Sequence, residues 1–502
     1  MGSLQEKRQP ESDGMDLDVV IIGAGISGIN AAYKIQKEGP PGMTYAILES
    51  RETLGGTWDL FKYPGIRSDS DVFTFCFSWS PWNDTLKSGA LASGPQIKEY
   101  MQRSARSAGI DQHILYRHSV ISADWDSSTK KWNLKVSVGG QEGTVTFTTR
   151  FILLGTGYYD YEKPLNTTIP GLENFGGRVI HPQFWPSEKK FDPTNQHIVV
   201  IGSGATAVTL VPALAGQGAK RVTMLQRSPS YIFPLARHSL FVTLLFTLLP
   251  LSWAYAITRA FWLVRSHATT WVCRAFPNQA RAIFKRVNLS LLPRDGSVPW
   301  DPHFKPAYNP WDQRVCATAD GDFFAALRAG KAGVATGTIK EVTRTGITLT
   351  SGERIENVDT IVTATGLKIR FGGGIQFSVD KVPVKFHERF AWRSAMLQDV
   401  PNVWFLTGYE TASWTLGADV SVRWFNRVVK RMQEKGAVAV VPRVKERMPE
   451  KGMMSLSSTY LSTSRQVFPK GGSGVWAPKR NWFADIAQAN WGSLEDGLEF
   501  VR

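Results

Sequence analysis

Two apolar runs, at residues 17–22 and 197–201, have the length of buried parallel strands, and each ends in a glycine turn. A stretch of helical character follows each turn. Shorter apolar runs at 45–48, 151–154, 222–225 and 360–362 predict further strands. This alternation of strands, turns and helices predicts an α/β protein with parallel sheets.

The two glycine turns have the sequences GAGISG, starting at Gly23, and GSGATA, starting at Gly202. Glycine allows a tight turn and lets the backbone approach a pyrophosphate, which then lies at a helix N-terminus. Two such turns in a strand–turn–helix context indicate two Rossmann-like dinucleotide-binding domains. The candidate phosphate-binding residues are Gly23, Gly25, Ser27 and Gly28 in the first turn, and Gly202, Gly204, Ala205 and Thr206 in the second.

Residues that follow the turns indicate which dinucleotide each site binds. Glu49 ends the apolar run that follows the first turn. An acidic residue at this distance from the glycines can accept hydrogen bonds from the ribose hydroxyls. Gly56, Thr57 and Trp58 then form a turn whose large ring can lie against a flavin edge. At the second site the equivalent position is near Arg227, and a guanidinium suits the additional phosphate of NADP. We therefore expect FAD at the first site and NADPH at the second.

Two further motifs predict how the domains are connected. GTG at 155–157 and TATG at 363–366 each follow a predicted strand, as if the chain left the first domain and later returned to it. We expect an FAD-binding domain at 16–160 and 366–502, and an NADP-binding domain at 161–365. A helical insert is expected at 237–312, and residues 1–15 are expected to be disordered because they are polar.

The composition excludes several classes of protein. The 3 cysteines form no CxxC pair, which argues against a disulfide scaffold, a zinc ribbon and the redox disulfide of a flavin disulfide reductase. No metal site is expected. The net charge is +15, but the basic residues are scattered without a recognition motif, so no nucleic-acid partner is expected. Polyanionic cofactors and an acidic membrane surface fit this charge better.

Residues 239–258 contain no charged side chain. Their length is close to that of a membrane span, but Pro250 interrupts them, and His238 and Arg259 lie directly outside. A buried or lid-like helical pair is one interpretation, an interfacial anchor with Arg259, Arg265 and Arg274 is the second, and a true span is the third. The expected location is the cytoplasm, with contact to a membrane surface left open.

Residues 175–185, FGGRVIHPQFW, match the pattern F-x-G-x-x-x-H-x-x-x-W. This pattern is the fingerprint of Baeyer–Villiger monooxygenases, whereas related N- and S-oxygenating flavin monooxygenases have Tyr or Phe in place of Trp185. The segments GGTWDLFKYPGIRSDSD, YNPWDQR and GYETASWTL resemble the ethionamide-activating branch of that family. The resemblance covers nearly the whole chain, and the chain departs from it at 239–258, where relatives carry more charges.

The resemblance implies a reaction. FAD is reduced by NADPH, reacts with O2 to an anionic flavin peroxide, and delivers one oxygen atom beside a ketone carbonyl to give an ester or lactone. Arg314 matches the active-site arginine of the family, and Asp69 matches the aspartate that orients it. His181 matches a histidine that links the domains and positions the cofactor. The apolar insert would form a wall for a small lipophilic ketone, such as a secondary metabolite.

Two other functions stay open at this point. An N- or S-oxygenating flavin monooxygenase would use the same cofactor residues, and Trp185 is the feature that separates it from the first interpretation. A membrane-associated NADPH oxidase or electron carrier would release peroxide with every ketone. Trp58 and Trp414 are candidates for lining the flavin and substrate pocket, with ordinary core packing as the alternative for each.

Overall fold

The computed structural model describes residues 14–82, 89–187, 189–454 and 466–502. Most of the segment predicted to be disordered, residues 1–13, lies outside the described residues. The described residues form two large sheets and a group of helices that connects them. The predicted α/β fold with two Rossmann-like domains and a helical insert is confirmed.

The first sheet joins 11 strands of the described residues and uses both ends of the chain. In its parallel centre, Asp16–Ile22 lies between Tyr45–Glu49 and Val145–Leu154, and Val403–Phe405 also pairs with Val145–Leu154. The C-terminal part of the chain therefore completes a sheet that the N-terminal part begins. The other strands are Ile114–Tyr116, His118–Asp126, Lys131–Val138, Gln376–Val379, Val382–Pro383, Ala391–Trp392 and Met396–Leu397.

The second sheet is fully parallel, and its strands come from the middle of the chain. In spatial order they are Ala332–Thr336, Arg221–Gln226, His197–Ile201, Thr360–Thr363 and Arg178–Ile180. Its central strands are buried on both faces, which explains why they are continuous apolar runs in the sequence. Small sheets are formed by Ile232–Leu235 with Cys316–Ala319, by Ile339–Val342, Ile347–Leu349 and Arg354–Ile355, by Ala439–Pro442 with Leu498–Val501, and by Lys451–Gly452 with Lys470–Gly471.

The α-helices of the described residues are numbered here in chain order. They are α1 Ile26–Glu38, α2 Thr57–Leu60, α3 Val72–Phe75, α4 Gly94–Ser107, α5 Ala205–Gly216, α6 Leu240–Leu248, α7 Leu251–Ala275, α8 Pro277–Leu291, α9 Trp300–His303, α10 Asp322–Arg328, α11 Trp414–Lys435 and α12 Trp482–Trp491. Both α1 and α5 begin directly after a glycine turn, as the sequence predicts.

Helices α6 to α9 make up the helical insert, between the strands Ile232–Leu235 and Cys316–Ala319. Pro250 separates α6 from α7, because proline has no N–H to continue a helix. Among the helices of the described ranges, none is long and apolar enough to pass through a bilayer.

The inner face of α7 attaches the insert to the first domain. The Tyr255 hydroxyl and the Arg259 guanidinium both donate to the carbonyl oxygen of Phe73 in α3. The indole of Trp262 stacks on the Phe73 ring with 6.3 Å between the ring centroids. Since α3 also contains Phe75, which lines a cavity between the sheets, the insert supports the wall of that cavity from behind.

Candidate active site

A cavity of about 730 Å³ lies where the two glycine turns approach each other. This volume is typical of a pocket that encloses most of a cofactor or substrate. Of the residues predicted for the site, the cavity is lined by Gly23, Gly25, Ser27, Glu49, Gly56, Thr57, Trp58, Asp69, Ala205, Thr206 and Arg314. The structure thus brings together residues that are up to 391 positions apart in the chain, from Gly23 to Trp414.

The first turn has a backbone that only glycine fits. Gly23 has a φ of +102°, and a Cβ on it would lie 2.8 Å from the carbonyl oxygen of Gly155. A Cβ on Gly28 would collide with the carbonyl oxygen of Gly23. The turn therefore closes tightly on itself and directs the N-terminus of α1 toward the cavity, which is the arrangement that favours a bound phosphate.

Glu49 and the turn at Gly56 hold the first glycine turn in place. The buried Glu49 carboxylate accepts hydrogen bonds from the backbone N–H of Ala24 at 2.8 Å and of Arg51 at 3.1 Å. Gly56, with a φ of +55°, lies close to Gly25, since a Cβ on Gly25 would be 3.7 Å from the Gly56 Cα. Glu49 therefore has a structural role in addition to the ribose contact that the sequence predicts.

One group of charged residues in the cavity is centred on Asp69. Burial raises the pKa of the Asp69 carboxyl, and the nearby guanidinium groups of Arg314 and Arg67 oppose this shift. Arg67 is itself fixed, because it donates to Asp322 at 2.8 Å and to the carbonyl oxygen of Ala317 at 3.3 Å. The predicted pair of Asp69 and Arg314 is thus part of a larger cluster in which two arginines face one buried carboxyl.

The second glycine turn resembles the first in its backbone but is more open. Gly202 has a φ of +139°, and a Cβ on it would collide with the carbonyl oxygen of Ala364. A Cβ on Gly204 would meet no described atom within 4 Å. Arg227 is exposed directly after the strand Arg221–Gln226, and the Ser203 hydroxyl donates to the neighbouring carbonyl of Ser228 at 3.0 Å. The backbone of Ser228, the residue after Arg227, therefore contacts this turn.

The segment that contains His181 contacts both places where the chain passes from one sheet to the other. Gln183 donates from its side-chain amide to the carbonyl oxygen of Asp160 at 2.8 Å, and from its backbone N–H to His181 Nδ1 at 3.2 Å. Burial lowers the pKa of His181, and the carbonyl of Gly366 opposes this effect. His181 itself does not line the cavity. Trp185 packs edge-on against Phe191 beside the second sheet, with 5.5 Å between the ring centroids.

Aromatic side chains form much of the cavity wall. Trp58 meets Phe75 edge-on at 5.7 Å between centroids. Trp414, at the start of α11, stacks on Tyr158 at 5.2 Å and donates from its indole nitrogen to the Ser27 hydroxyl at 2.8 Å. Trp58 and Trp414 both line the cavity, as the sequence predicts.

Several residues of the cavity were not singled out from the sequence. Tyr63 interacts with the hydroxyl of Thr206 in the second turn, and burial raises its pKa to about 12. Tyr161 makes a 2.9 Å hydrogen bond with Thr57. Arg67 lies two positions before Asp69, in a segment that carries the family resemblance. The resemblance could therefore have indicated that Arg67 belongs to the site. Tyr63 lies in the same segment, whereas Tyr161 lies in no quoted motif. Only the folded chain shows that both tyrosines reach the cavity.

Comparison with known proteins identifies the class. A family model described as pyridine nucleotide-disulphide oxidoreductase matches residues 17–239, which include both glycine turns. The chain is 42% identical over 491 residues to the FAD-containing monooxygenase EthA of Mycobacterium tuberculosis, covering 97% of this chain and 98% of that protein. It is 38% identical to the probable FAD-binding monooxygenase AlmA of Acinetobacter baylyi, covering 96% and 95%.

Solved structures agree with this result at the level of the fold. A steroid monooxygenase bound to NADP has a TM-score of 0.71 at 20% identity, covering 97% of this chain and 100% of that one. A cyclohexanone monooxygenase also has a TM-score of 0.71, at 17% identity, with the same coverage. Fold and cavity thus define a flavoprotein oxidoreductase with two dinucleotide-binding domains. The chain belongs to the family of FAD-containing monooxygenases.

Proposed function

We propose that this enzyme uses NADPH and O2 to insert one oxygen atom beside the carbonyl of a small lipophilic ketone, giving an ester or lactone. The observation that supports this proposal is the cluster of Asp69, Arg67 and Arg314 in a cavity that both glycine turns border. The solved structures of similar fold include enzymes named for cyclohexanone, for steroids and for polycyclic ketones.

The residues of the first turn fit FAD. The absence of a side chain at Gly25 leaves the cavity open at the N-terminus of α1, where a pyrophosphate is stabilised by the helix dipole. Trp58 and Trp414 supply flat apolar surfaces for a ring system. We propose that FAD is held by Gly23, Gly25, Ser27, Gly28, Glu49, Gly56, Thr57, Trp58 and Asp69, and NADPH by Gly202, Gly204, Ala205, Thr206, Arg227 and His181.

In the proposed mechanism, bound FAD supplies the activation of O2, and the protein supplies charge and orientation. Arg314 keeps its positive charge at every pH of interest, so it stabilises negative charge that develops on oxygen atoms in the cavity. Asp69 orients Arg314, and Arg67 compensates the Asp69 carboxylate. The aromatic wall excludes water from the reacting atoms.

The first test is oxidation of NADPH by the purified flavoprotein with cyclic, aryl and long-chain ketones and one sulfide. We expect products heavier than the ketone by one oxygen atom, detected by mass spectrometry, in amounts that match the NADPH consumed. Sulfoxide as the only product would instead establish S-oxygenation. Hydrogen peroxide as the only product from the whole panel would contradict the proposal.

A Gly204→Ala substitution is expected to weaken NADPH binding without affecting FAD. The added methyl group meets no described protein atom, but it occupies the space beside the N-terminus of α5 that we assign to the pyrophosphate. We expect the KM for NADPH to rise about 10-fold or more, because the pyrophosphate would lose at least one hydrogen bond to the turn. Gly216→Ala, at the other end of α5, also adds a methyl group in open space and should leave KM unchanged.

An Arg227→Asp substitution is expected to reverse the preference for NADPH. Arg227 is exposed directly after the strand that follows the second turn, and its guanidinium is the group that we assign to the additional phosphate. A carboxylate suits the free ribose of NADH. The ratio of kcat/KM values for NADPH and NADH should fall about 100-fold. Arg221→Asp, at the opposite end of the same strand, is the control and should keep the wild-type ratio. A ratio that changes equally in both variants would refute the assignment.

The division of the chain is also a proposal. We infer an FAD-binding domain at 16–160 and 366–502 and an NADP-binding domain at 161–365, supported by the membership of the strands in the two sheets. The contacts of Gln183 with Asp160 and of His181 with Gly366 lie at these two boundaries.

We further propose a cytoplasmic enzyme whose segment 239–258 contacts a membrane surface, because that segment presents exposed apolar side chains.

A further inference from the structure

The helical insert has an outer face with many exposed apolar side chains. On α6, the outward side chains Leu240, Leu244 and Leu248 repeat every four residues, with exposures of 91%, 56% and 69%. On α7, beyond Pro250, the exposed apolar side chains include Trp253, Ile257, Phe261, Val264 and Trp271, at intervals of three, four or seven residues. This spacing places the side chains on one stripe of the helix surface. Soluble domains rarely expose an apolar patch of this extent, which marks an interaction surface.

The charged side chains of α6, α7 and α8 are all basic. The sequence contains no Asp or Glu between Asp192 and Asp295. Arg259, one of the basic residues that the sequence assigns to a membrane anchor, points inward instead and donates to the carbonyl of Phe73. The exposed basic residues on α7 and α8 are Arg265, Arg274, Arg281, Lys285 and Arg286. An apolar stripe on helices whose charged side chains are all positive is complementary to anionic headgroups above hydrocarbon chains.

We propose that the outer face of α6, α7 and α8 docks on the surface of an anionic phospholipid bilayer. This inference extends the membrane contact proposed above and is independent of the oxygenation chemistry. The helices lie in the interface with their apolar stripe in the acyl region and their arginines at the phosphates. They do not cross the bilayer, and α7 carries Arg259, Arg265 and Arg274 along its length.

The same helix connects the outer face to the cavity. Leu263 on the inner side of α7 packs with Tyr409, which lines the cavity, and Trp262 packs on Phe73. When the face is docked, only α7 therefore separates the cavity from the bilayer. A lipophilic ketone is concentrated in the bilayer. A second copy of this chain is the competing occupant, but two copies of a basic face repel each other.

Co-sedimentation of the FAD-loaded enzyme with vesicles tests the proposal. Vesicles of phosphatidylcholine alone are compared with vesicles of phosphatidylcholine and phosphatidylglycerol in equal amounts. We expect binding to the anionic vesicles to be about 10-fold tighter or more, and to weaken with added salt. Equal binding to both vesicle types would overturn the assignment to anionic lipids, and no binding to either would overturn docking itself.

Paired variants separate docking from folding and from catalysis. The first double variant, Leu248→Glu with Trp253→Glu, places two charges on the outer stripe and should abolish most vesicle binding. The second, Arg265→Gln with Arg286→Gln, should remove the preference for anionic vesicles. Val382→Glu, equally exposed at 64% but on the first sheet, is the control and should bind like the wild type. FAD content and ketone oxidation without vesicles should be unchanged in all variants, so the oxygenation proposal is tested separately. Light scattering that shows a dimer broken by Leu248→Glu and Trp253→Glu, with no vesicle binding by the wild type, would assign the face to a second copy instead.

Discussion

An Arg314→Ala variant is expected to keep its FAD and its reduction by NADPH, but to lose ester formation by about 100- to 1,000-fold. The residue lies in the cavity beside Asp69, and the glycine turns that we assign to the dinucleotides lie elsewhere on the wall. Removing a fixed positive charge from an enclosed site removes stabilisation from developing negative charge, which is strong where water is excluded. Oxygen that is activated but not transferred should appear as hydrogen peroxide.

The measurement is the ratio of ester to peroxide for each NADPH consumed. Arg294→Ala removes an exposed arginine from the end of the insert and is the matched control, with a ratio close to that of the wild type. Arg314→Lys keeps the charge but not the planar fork of donors, so an intermediate ratio is expected. An Arg314→Ala enzyme that forms ester at the wild-type rate would show that another group supplies the charge.

The role of Asp69 is separable from that of Arg314 by a double-mutant cycle. If Asp69 acts by orienting Arg314, Asp69→Asn should lower ester formation in the wild-type enzyme and have little further effect in the Arg314→Ala enzyme. If Asp69 acts on its own, the two losses should multiply. This comparison needs only the product ratios and the FAD content of four proteins.

Local sequence signals predicted the parts of the site that depend on backbone geometry. The turns at Gly23 and Gly202 were predictable because their collisions with Gly155 and Ala364 leave no room for a side chain. The strands beside them were predictable because burial on both faces requires continuous apolar runs. The predicted strand at 222–225 differs from Arg221–Gln226 by one residue at each end.

Contacts between distant segments were not predictable in this way. The inward turn of Arg259 depends on the carbonyl of Phe73, which is 186 positions away in the chain. In the sequence, Arg259 and Arg265 are both basic residues beside an apolar segment. No local feature of the sequence shows that Arg259 points inward and Arg265 does not. The Tyr63 contact with Thr206 likewise joins two domains. Such contacts arise from the packing of the domains and leave no periodic or motif signal in the sequence.

A Gly28→Ala substitution is the second change for which a large effect is expected, here on FAD binding rather than on catalysis. The added Cβ would collide with the carbonyl oxygen of Gly23, a backbone atom that cannot move aside without opening the turn. Overpacking of this kind costs about 1–3 kcal/mol, and an opened turn no longer presents its N–H groups to a pyrophosphate. We expect FAD affinity to fall about 10- to 100-fold.

The ratio of bound flavin absorbance to protein, before and after dialysis, measures this loss. Gly216→Ala makes the same chemical change at a helix position where the methyl group meets no described atom within 4 Å, so it should keep its flavin. Thermal unfolding with FAD in excess distinguishes a weakened site from a damaged fold, because excess ligand restores the stability of a protein that still binds it. If Gly28→Ala kept a full complement of FAD through dialysis, the first turn would not be the flavin site, whereas the Gly204→Ala result would still test the second turn by itself.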